Sequence, residues 1–202
     1  MTETDNHNDC PELSDEQLVA QTLDDRERFS CLMRRYEARL FRYIQRVSSL
    51  RKEDAEDVLQ DAFISAYRNL HDFDAARGKF STWMYRIVRN AAISAVRKNK
   101  VKQKHFVQDI GEELLERISS DEDIAREADR GFSAETVRAT LDGLKDEQRE
   151  ILVLHYLEGM GYAEISDILL IAPGTVGSRL SRAKRAFQKD YRADARRDTT
   201  NL

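Results

Sequence analysis

The sequence predicts an all-α protein with two small helical domains joined by an acidic linker. Apolar residues recur at intervals of three and four through most of the 202 residues, as they do along the buried face of a helix. Only 2 prolines and 8 glycines interrupt this pattern, and no stretch shows the alternation of a strand. We expect a disordered acidic N-terminus over 1–12, domains over 13–102 and 133–192, the linker over 103–132, and a polar tail over 193–202.

The first domain is expected to contain four helices around an aromatic-rich core. The spacing of Ser14 and Gln17 is that of a capping box, which predicts the start of a helix. Gly78 is expected to break the chain in a loop, and Ser81 to cap the helix that follows. After the helix that starts at Ser14, the apolar spacing predicts helices over Arg26–Ser48, Lys52–Leu70 and Thr82–Asn99.

Charge is unevenly distributed, although the net charge of the chain is only −4. Ala75–Gln108 holds nine Lys or Arg residues and no acid, and Gly174–Arg192 holds six against one acid. Between them, Asp109–Glu135 holds ten acids and three bases with weak periodicity. This composition favours a flexible linker over the alternative of a short helix near Glu112–Ile118. The two basic blocks suit a phosphate-rich partner.

The second domain, Ser133–Arg192, is expected to hold four helices, the last two forming a helix-turn-helix within Gly161–Phe187. Proline is tolerated in a first helical turn, so Pro173 can open the second helix of this pair, over Pro173–Lys189. This helix has an apolar back and a small, basic front, and the major groove of DNA admits such a helix. The alternative is a helical hairpin with a solvated basic face. The front and flanks carry Thr175, Ser178, Arg179, Ser181, Arg182 and Arg185.

The predicted third helix carries acids and amides opposite its apolar stripe. An exposed isoleucine among carboxylates suits a protein partner, because acids would repel phosphate. The alternative is a solvated helix face. The residues expected to bind the partner are Asp54, Asp57, Gln60, Asp61 and Ile64.

The segment Gly78–Lys104 combines aromatic and basic residues. Single-stranded nucleic acid binds to this combination, because bases stack on aromatic rings while cations follow the phosphates. For Trp83, the more favoured alternative is that its ring fills the core. The candidate contacts are Lys79, Phe80, Trp83, Arg86, Arg89, Asn90, Arg97 and Lys98.

Several classes of protein do not fit the sequence. We find no spacing typical of a catalytic site, a metal site or a phosphate-binding loop, so we expect no enzyme and no cofactor. Cys10 and Cys31 lack CxxC spacing and resemble neither a disulfide framework nor a zinc site, and a redox pair is the less favoured alternative. The acidic N-terminus lacks the layout of a signal peptide and no apolar run could span a membrane, so we expect a cytoplasmic protein without membrane contact.

Three segments in this order carry a family resemblance: DAEDVLQDAFISAYRNL (54–70), GKFSTWMYRIVRNAAI (78–93) and GYAEISDILLIAPGTVGSRLSRAK (161–184). Together they resemble the extracytoplasmic-function (ECF) group of the sigma-70 family, which are bacterial initiation factors of RNA polymerase. The resemblance implies a two-domain sigma factor that binds core polymerase and promoter DNA. It also implies contacts with the clamp of the largest polymerase subunit and the flap of the second-largest, and control by an anti-sigma factor.

Carried over by motif, the resemblance assigns a role to each candidate surface. The 54–70 helix resembles the clamp-binding segment, with Asp57, Gln60 and Asp61 in its core motif. The 78–100 segment resembles the part that binds the −10 element and traps a flipped base, and the 173–187 helix resembles the reader of the −35 element. The acidic linker resembles a segment that threads into the polymerase channels. A helix-turn-helix repressor or response regulator that acts without core polymerase is the alternative.

The chain departs from the family pattern at four positions. Leu170 replaces the usual turn glycine, so the turn must either avoid a left-handed conformation or strain a leucine. Gly177 replaces a usual lysine on the reading helix, which removes a phosphate contact and lowers helix propensity. Ser94 replaces a usual aspartate, and Lys145 replaces a usual proline.

Overall fold

The computed structural model describes residues 10, 12–48, 50–98, 114, 117 and 134–198. In these parts of the chain every regular element is helical, which confirms the all-α class. Their α-helices are α1 (Asp15–Asp24), α2 (Phe29–Val47), α3 (Lys52–Arg68), α4 (Phe80–Lys98), α5 (Ala134–Gly143), α6 (Asp146–Leu152), α7 (Tyr162–Leu169) and α8 (Pro173–Asp198). Short 3-10 turns cover Arg26–Arg28 and Leu70–Asp72, and a π-helical turn covers Val153–Leu157.

Helix α1 begins with the predicted capping box. The Gln17 N–H donates to the Ser14 hydroxyl at 3.2 Å, and the Ser14 N–H donates to the Gln17 side chain at 2.9 Å. One residue further on, the Asp15 carboxylate accepts hydrogen bonds from Arg35 and Tyr36 of α2. These bonds hold α1 against α2.

Helices α2, α3 and α4 form the core of the N-terminal half, where aromatic rings meet edge to face. The ring centroids of Tyr36 and Phe80 lie 5.6 Å apart, and those of Tyr43 and Tyr85 lie 5.0 Å apart. Such geometry adds to the stabilisation from burial alone. The predicted apolar stripe of the third helix is buried throughout: Ala55, Leu59, Ala62, Phe63, Ala66 and Leu70.

Two helices start elsewhere than predicted. Helix α4 begins at Phe80, so the prediction that Ser81 caps this helix is wrong. The Phe80 N–H donates instead to the Glu16 carboxylate of α1 at 3.2 Å, a partner that is distant in the sequence. Helix α2 begins at Phe29 because the residues before it form a 3-10 turn, capped by the Asp25 side chain.

In the C-terminal half, a buried arginine closes one helix and a π-helical turn follows the next. Arg149 is 8% exposed and donates to three carbonyls at the end of α5, those of Leu141, Asp142 and Leu144. A cation there satisfies carbonyls that lack a partner within the helix. After α6, the Glu158 N–H reaches back five residues to the Val153 carbonyl at 3.0 Å, as in a π-helix.

Helices α7 and α8 form the predicted helix-turn-helix, and Leu170 between them is left-handed, with φ 54° and ψ 48°. Of the two possibilities that the sequence allowed, the chain therefore takes the strained leucine. Helix α8 runs to Asp198, beyond the predicted end at Lys189 and into the segment expected to be a tail.

The predicted linker lies outside the described residues, except for Leu114 and Arg117. Leu114 is buried, and the Arg117 guanidinium donates to the Tyr156 carbonyl at 3.1 Å. Within the predicted N-terminal tail, Cys10 is bonded to Cys31 of α2. The two cysteines are therefore paired, against the interpretation that the sequence favoured, because the fold returns the segment before α1 to the side of α2.

The N-terminal and C-terminal halves pack against each other. Helix α4 contacts α7, and helix α2 contacts α6 and the π-helical turn. Bases and phenols of the N-terminal half bond to acids of the C-terminal half at these contacts, which places two predicted DNA contacts, Lys79 and Arg89, at the interface.

Candidate functional site

Helix α8 has the amphipathic division that the sequence predicts. Its apolar side is buried against α5, α6 and α7 through Val176, Leu180, Ala183 and Phe187. On the other side, Ser178, Ser181, Arg182 and Arg185 are exposed, and Thr175 and Arg179 are half-buried. Guanidinium groups and hydroxyls on one exposed helix face can donate to phosphates and to base edges.

The turn before α8 is held by its own hydrogen bonds. The Ser166 hydroxyl donates to the Ile171 carbonyl at 2.6 Å, and the Thr175 N–H donates to the Ala172 carbonyl at 2.8 Å. Leu170 at the turn is 68% exposed, so burial of its side chain does not offset the strained backbone. The turn geometry of the helix-turn-helix thus persists without the glycine.

The aromatic residues around the start of α4 form one cluster. Trp83 is half-buried, and its ring centroid lies 5.6 Å from that of Phe80 and 5.7 Å from that of Phe73. The Phe80 ring is 1% exposed, so it is not accessible to a base in this arrangement. Phe73, which the sequence reasoning missed, is half-buried within the predicted loop. An aromatic residue five positions before Gly78 was the available signal.

An open cleft of about 220 Å³ lies beside this cluster. Among the residues that line it are Phe73, Arg77, Lys79, Trp83, Arg86 and Asp167. The cleft therefore combines an aromatic edge with three cations and three carboxylates, those of Asp72, Asp74 and Asp167. Arg77 was not among the candidates from the sequence, although it lies in the same basic block.

Two cations of the predicted −10 surface are paired with acids of the C-terminal half. The Arg89 guanidinium donates to the Glu150 carboxylate at 2.8 and 3.1 Å. The Lys79 ammonium lies 3.0 Å from the Glu164 carboxylate. The remaining candidates of α4 lie towards solvent, since Asn90, Arg97 and Lys98 are exposed and Arg86 is half-buried.

In each ion pair, one member has a pKa shifted towards its charged form. Burial alone would lower the pKa of Arg89, yet its bonds to Glu150 raise the pKa overall. Burial alone would raise the pKa of Glu164, but the Gly161 N–H and Lys79 lower it overall. Arg89 and Glu164 are therefore held in their charged forms by these partners.

A third carboxylate, that of Glu158, lies deep in the interface. Its side chain is 2% exposed and accepts bonds from Arg39 at 3.1 Å, from Arg46 at 3.3 Å and from the Tyr85 hydroxyl. Burial, followed by the Glu158 charge, raises the pKa of Tyr85 far above its ordinary value, so the phenol remains a donor. A buried carboxylate needs such compensation. The sequence reasoning did not single out Glu158.

The acidic face of α3 points away from this interface. Asp57, Gln60 and Asp61 are exposed, and the Ile64 side chain is 48% exposed. Asp54 is half-buried and accepts from the Arg51 guanidinium at 3.0 Å. An exposed apolar side chain surrounded by carboxylates is the arrangement that the sequence predicts for this helix.

Two other kinds of site were sought in the described parts of the chain. No group of His, Cys, Asp or Glu side chains there could hold a metal ion. No helix among those residues is long and apolar enough to cross a membrane.

Comparison with known proteins gives consistent matches. The family model of Sigma-70 region 2 matches residues 32–101, and that of Sigma-70 region 4 matches residues 134–187. The ECF RNA polymerase sigma factor SigW of Bacillus subtilis is 32% identical over 172 residues, which are 83% of this chain and 91% of SigW. The ECF RNA polymerase sigma-E factor of Escherichia coli is 32% identical over 193 residues, 92% of this chain and 98% of sigma-E.

A solved structure shares the architecture of both halves. CnrH in complex with the cytosolic domain of CnrY superposes with a TM-score of 0.65 at 25% identity. The superposition covers 89% of this chain and 98% of CnrH.

Proposed function

The chain belongs to the ECF group of the sigma-70 family, and on this basis we propose that it binds core RNA polymerase and confers promoter recognition and DNA melting on it. The observation that carries the proposal is the ordered pair of matches, region 2 over 32–101 and region 4 over 134–187. The first match contains two of the surfaces described above, and the second contains one. The first holds the acidic face of α3 and the basic residues of α4, and the second holds the basic front of α8.

We assign polymerase binding to the exposed face of α3. Asp57, Gln60 and Asp61 offer acceptors to a basic partner, and Ile64 supplies an apolar centre. Charge complementarity would guide the encounter, while the isoleucine would provide desolvated contact area. Asp54 is assigned to the edge of this surface, where it lies beside Arg51.

We assign the −35 element to α8 and the −10 element to α4. On α8, Arg179, Arg182 and Arg185 would bind phosphates and base edges, with Thr175, Ser178 and Ser181 as short hydrogen-bonding neighbours. On α4, Trp83 and Asn90 would meet unstacked bases beside the cations Lys79, Arg86, Arg89, Arg97 and Lys98. We place Phe80 behind Trp83, since its ring is buried.

In this proposal, the two halves must separate before both DNA elements can be bound. Glu150 forms an ion pair with Arg89, and Glu164 forms one with Lys79. DNA phosphates would compete with these carboxylates for the two cations. Core polymerase would shift the balance, because holding both domains on one surface raises the effective concentration of each for its DNA element. Isolated DNA binding is therefore expected to be weak.

The remaining assignments follow from the same proposal. The chain would act as a specificity subunit rather than as an enzyme, in the cytoplasm, where polymerase and promoter DNA are found. We also propose an anti-sigma factor as a protein partner. The solved complex of CnrH with the cytosolic domain of CnrY supports a protein partner.

A helix-turn-helix repressor or response regulator that acts without polymerase is the second candidate, and one experiment separates the two. Purified chain is added to core RNA polymerase in a runoff assay with a genomic promoter library, and the transcript ends are sequenced. We expect transcripts from specific starts that core alone does not give, and the matched control is the chain with Arg182→Ala and Arg185→Ala. Specific DNA binding without core association or transcripts would favour the repressor.

A further inference from the structure

The single disulfide joins the segment before α1 to the buried side of α2. Cys10 and Cys31 are the only cysteines of the chain, and their Cα atoms lie 5.4 Å apart, within the normal range for a bonded pair. Cys31 is 7% exposed within the core, whereas Cys10 is half-buried at its edge. Cys10 is therefore the more accessible of the two residues to a reagent in solution, and Cys31 is the more protected.

We propose that Cys10 and Cys31 form a reversible dithiol–disulfide site, oxidised by hydroperoxides and reduced by protein dithiols. The cellular setting of this inference rests on the proposed function, because RNA polymerase works in a reducing compartment. Disulfides in such compartments are usually transient or redox-sensing rather than permanent. The sequence spacing alone favoured no redox role.

The surroundings of the sulfurs suit exchange chemistry. The Arg34 guanidinium lies 3.9 Å from the Cys31 sulfur, and a neighbouring cation favours the thiolate form. When an external thiolate attacks the accessible Cys10 sulfur, the Cys31 sulfur is the leaving group, and a stabilised thiolate leaves faster. The arrangement thus gives the two cysteines different roles.

The chemistry balances in both directions. In oxidation, the Cys10 thiolate attacks a hydrogen peroxide oxygen and becomes a sulfenic acid, with loss of one water once a proton is taken up. The Cys31 thiol then forms the S–S bond and expels the second water, so two thiols and one peroxide give one disulfide and two waters. In reduction, one thiolate of a protein dithiol attacks the disulfide and forms a mixed disulfide. Its second thiol then displaces the remaining cysteine, so the chain regains two thiols and the protein dithiol becomes a disulfide.

The bond lies next to contacts that reach the DNA-binding segment. Residues between the cysteines include α1, whose Asp15 binds Arg35 and whose Glu16 accepts the Phe80 N–H at the start of α4. The disulfide closes a loop that contains α1. This closure lowers the conformational entropy of the unfolded chain, and it also opposes local opening of α1 in the folded chain. The oxidised form is therefore expected to hold α1 in place more firmly, and with it the first turn of α4.

The test uses the full chain, hydrogen peroxide, and thioredoxin as the reductant. Thiols are trapped with an alkylating reagent and counted by intact mass after peroxide and after thioredoxin. We expect the native chain to lose both reactive thiols and to regain both, with an unfolding midpoint on the order of 10 °C higher when oxidised. Hydrogen exchange in residues 12–24 and at Phe80 should be several-fold slower in the oxidised chain.

Variants separate the proposal from simple surface oxidation. Cys10→Ser and Cys31→Ala each leave one cysteine and are expected to form no intramolecular bond, and Arg34→Gln should slow reduction several-fold in an otherwise unchanged fold. Thiols that stay free in the native chain under peroxide would overturn the proposal, as would a bond that thioredoxin cannot reduce. Equal exchange in both states would overturn the link to α4. None of these measurements needs polymerase, so their failure is separate from failure of the sigma assignment.

Discussion

The guanidinium of Arg89 and the carboxylate of Glu150 form a two-bond ion pair between the segment proposed to bind the −10 element and the half proposed to bind the −35 element. The side chains are 20% and 12% exposed, so the pair is largely removed from solvent. The Tyr43 hydroxyl donates to the same carboxylate at 3.1 Å. A carboxylate of the C-terminal half is therefore bonded to the Arg89 guanidinium, which is proposed to contact the −10 DNA.

Removing the charge of Glu150 should free Arg89 for DNA. We expect Glu150→Gln to bind a labelled single-stranded −10 oligonucleotide on the order of fivefold more tightly, since a partly buried pair contributes about 1 kcal/mol and this competition is lost. Fluorescence anisotropy measures the dissociation constant. Glu56→Gln removes the same charge at an exposed position of α3 and is the matched control. Equal affinity of the Glu150 variant and the control would contradict the competition.

Removing the Glu158 side chain should separate the two halves. Glu158→Ala leaves the Arg46 charge in the interface without this carboxylate, and desolvated charges that lose a partner are strongly unfavourable, at about 3–5 kcal/mol. Domain separation hydrates Arg46, so small-angle X-ray scattering should give a larger radius of gyration. Glu158→Gln keeps acceptors for Arg39 and Tyr85 and should expand less. A compact Glu158→Ala chain of unchanged stability would argue against this role.

The contact between Lys79 and Glu164 should weaken in acid. The pKa of Glu164 is lowered in the folded chain, so its stabilising contribution is complete above the unfolded-state pKa and is lost as pH falls through the folded-state pKa. We expect wild type to be more stable than Glu164→Gln at neutral pH and the difference to vanish below the ordinary carboxyl range. Urea unfolding from pH 7 to pH 3 measures it. A difference that grew in acid would have the wrong sign.

Replacing Leu170 with glycine should stabilise the chain. A left-handed conformation costs a residue with a Cβ roughly 1–2 kcal/mol, and glycine avoids this cost. The greater conformational freedom of glycine in the unfolded chain offsets part of this gain. Because the Leu170 side chain is 68% exposed, little burial is lost, and we expect a gain of about 1 kcal/mol in urea unfolding. The matched control is Gly159→Ala, at the other described residue with positive φ, which should destabilise. A loss of stability in Leu170→Gly would show that the leucine makes a contact of its own.

Charge reversal on α3 should weaken polymerase binding without unfolding the chain. We expect Asp57→Lys with Asp61→Lys to reduce affinity for core at least tenfold, because two attractive contacts become repulsive. Both side chains are exposed, so the circular dichroism spectrum and the unfolding midpoint should stay within error. Glu37→Lys, an exposed acid on α2, controls for net charge in the same pull-down titration. Full affinity in the double variant would remove the assignment.

The helices and their buried faces could be predicted from the sequence because both depend on local periodicity. The capping box at Ser14 depends on a residue three positions away, and the buried stripe of α8 depends on residues within eleven positions of one another. The same logic placed the start of α4 two residues late, at Thr82 instead of Phe80. Its cap comes from Glu16, which no local rule connects to Phe80.

The candidate site was predicted as a set of surfaces, but not as a set of contacts. The sequence identifies Arg89 and Lys79 as cations in a basic block, whereas their pairing with Glu150 and Glu164 depends on how the halves pack. The same holds for Cys10 and Cys31, which meet only because α1 turns the chain back along α2. Long-range pairing is invisible to spacing, so these contacts required the structure.

The π-helical turn at Val153–Leu157 has a consequence for how Glu150 and Glu158 are recognised. On a regular α-helical wheel, residues eight positions apart are offset by about 80°, so the two acids would be drawn on different faces. The wider winding of the π turn takes up most of that offset, and both carboxylates reach the bases and phenols of α2 and α4. Because the π turn shifts the helical phase by one residue, a search for α-helical periodicity would not place the two acids on the same face. In relatives with the same π-helical turn, the helical wheel should be shifted by one residue at this turn before helix faces are compared.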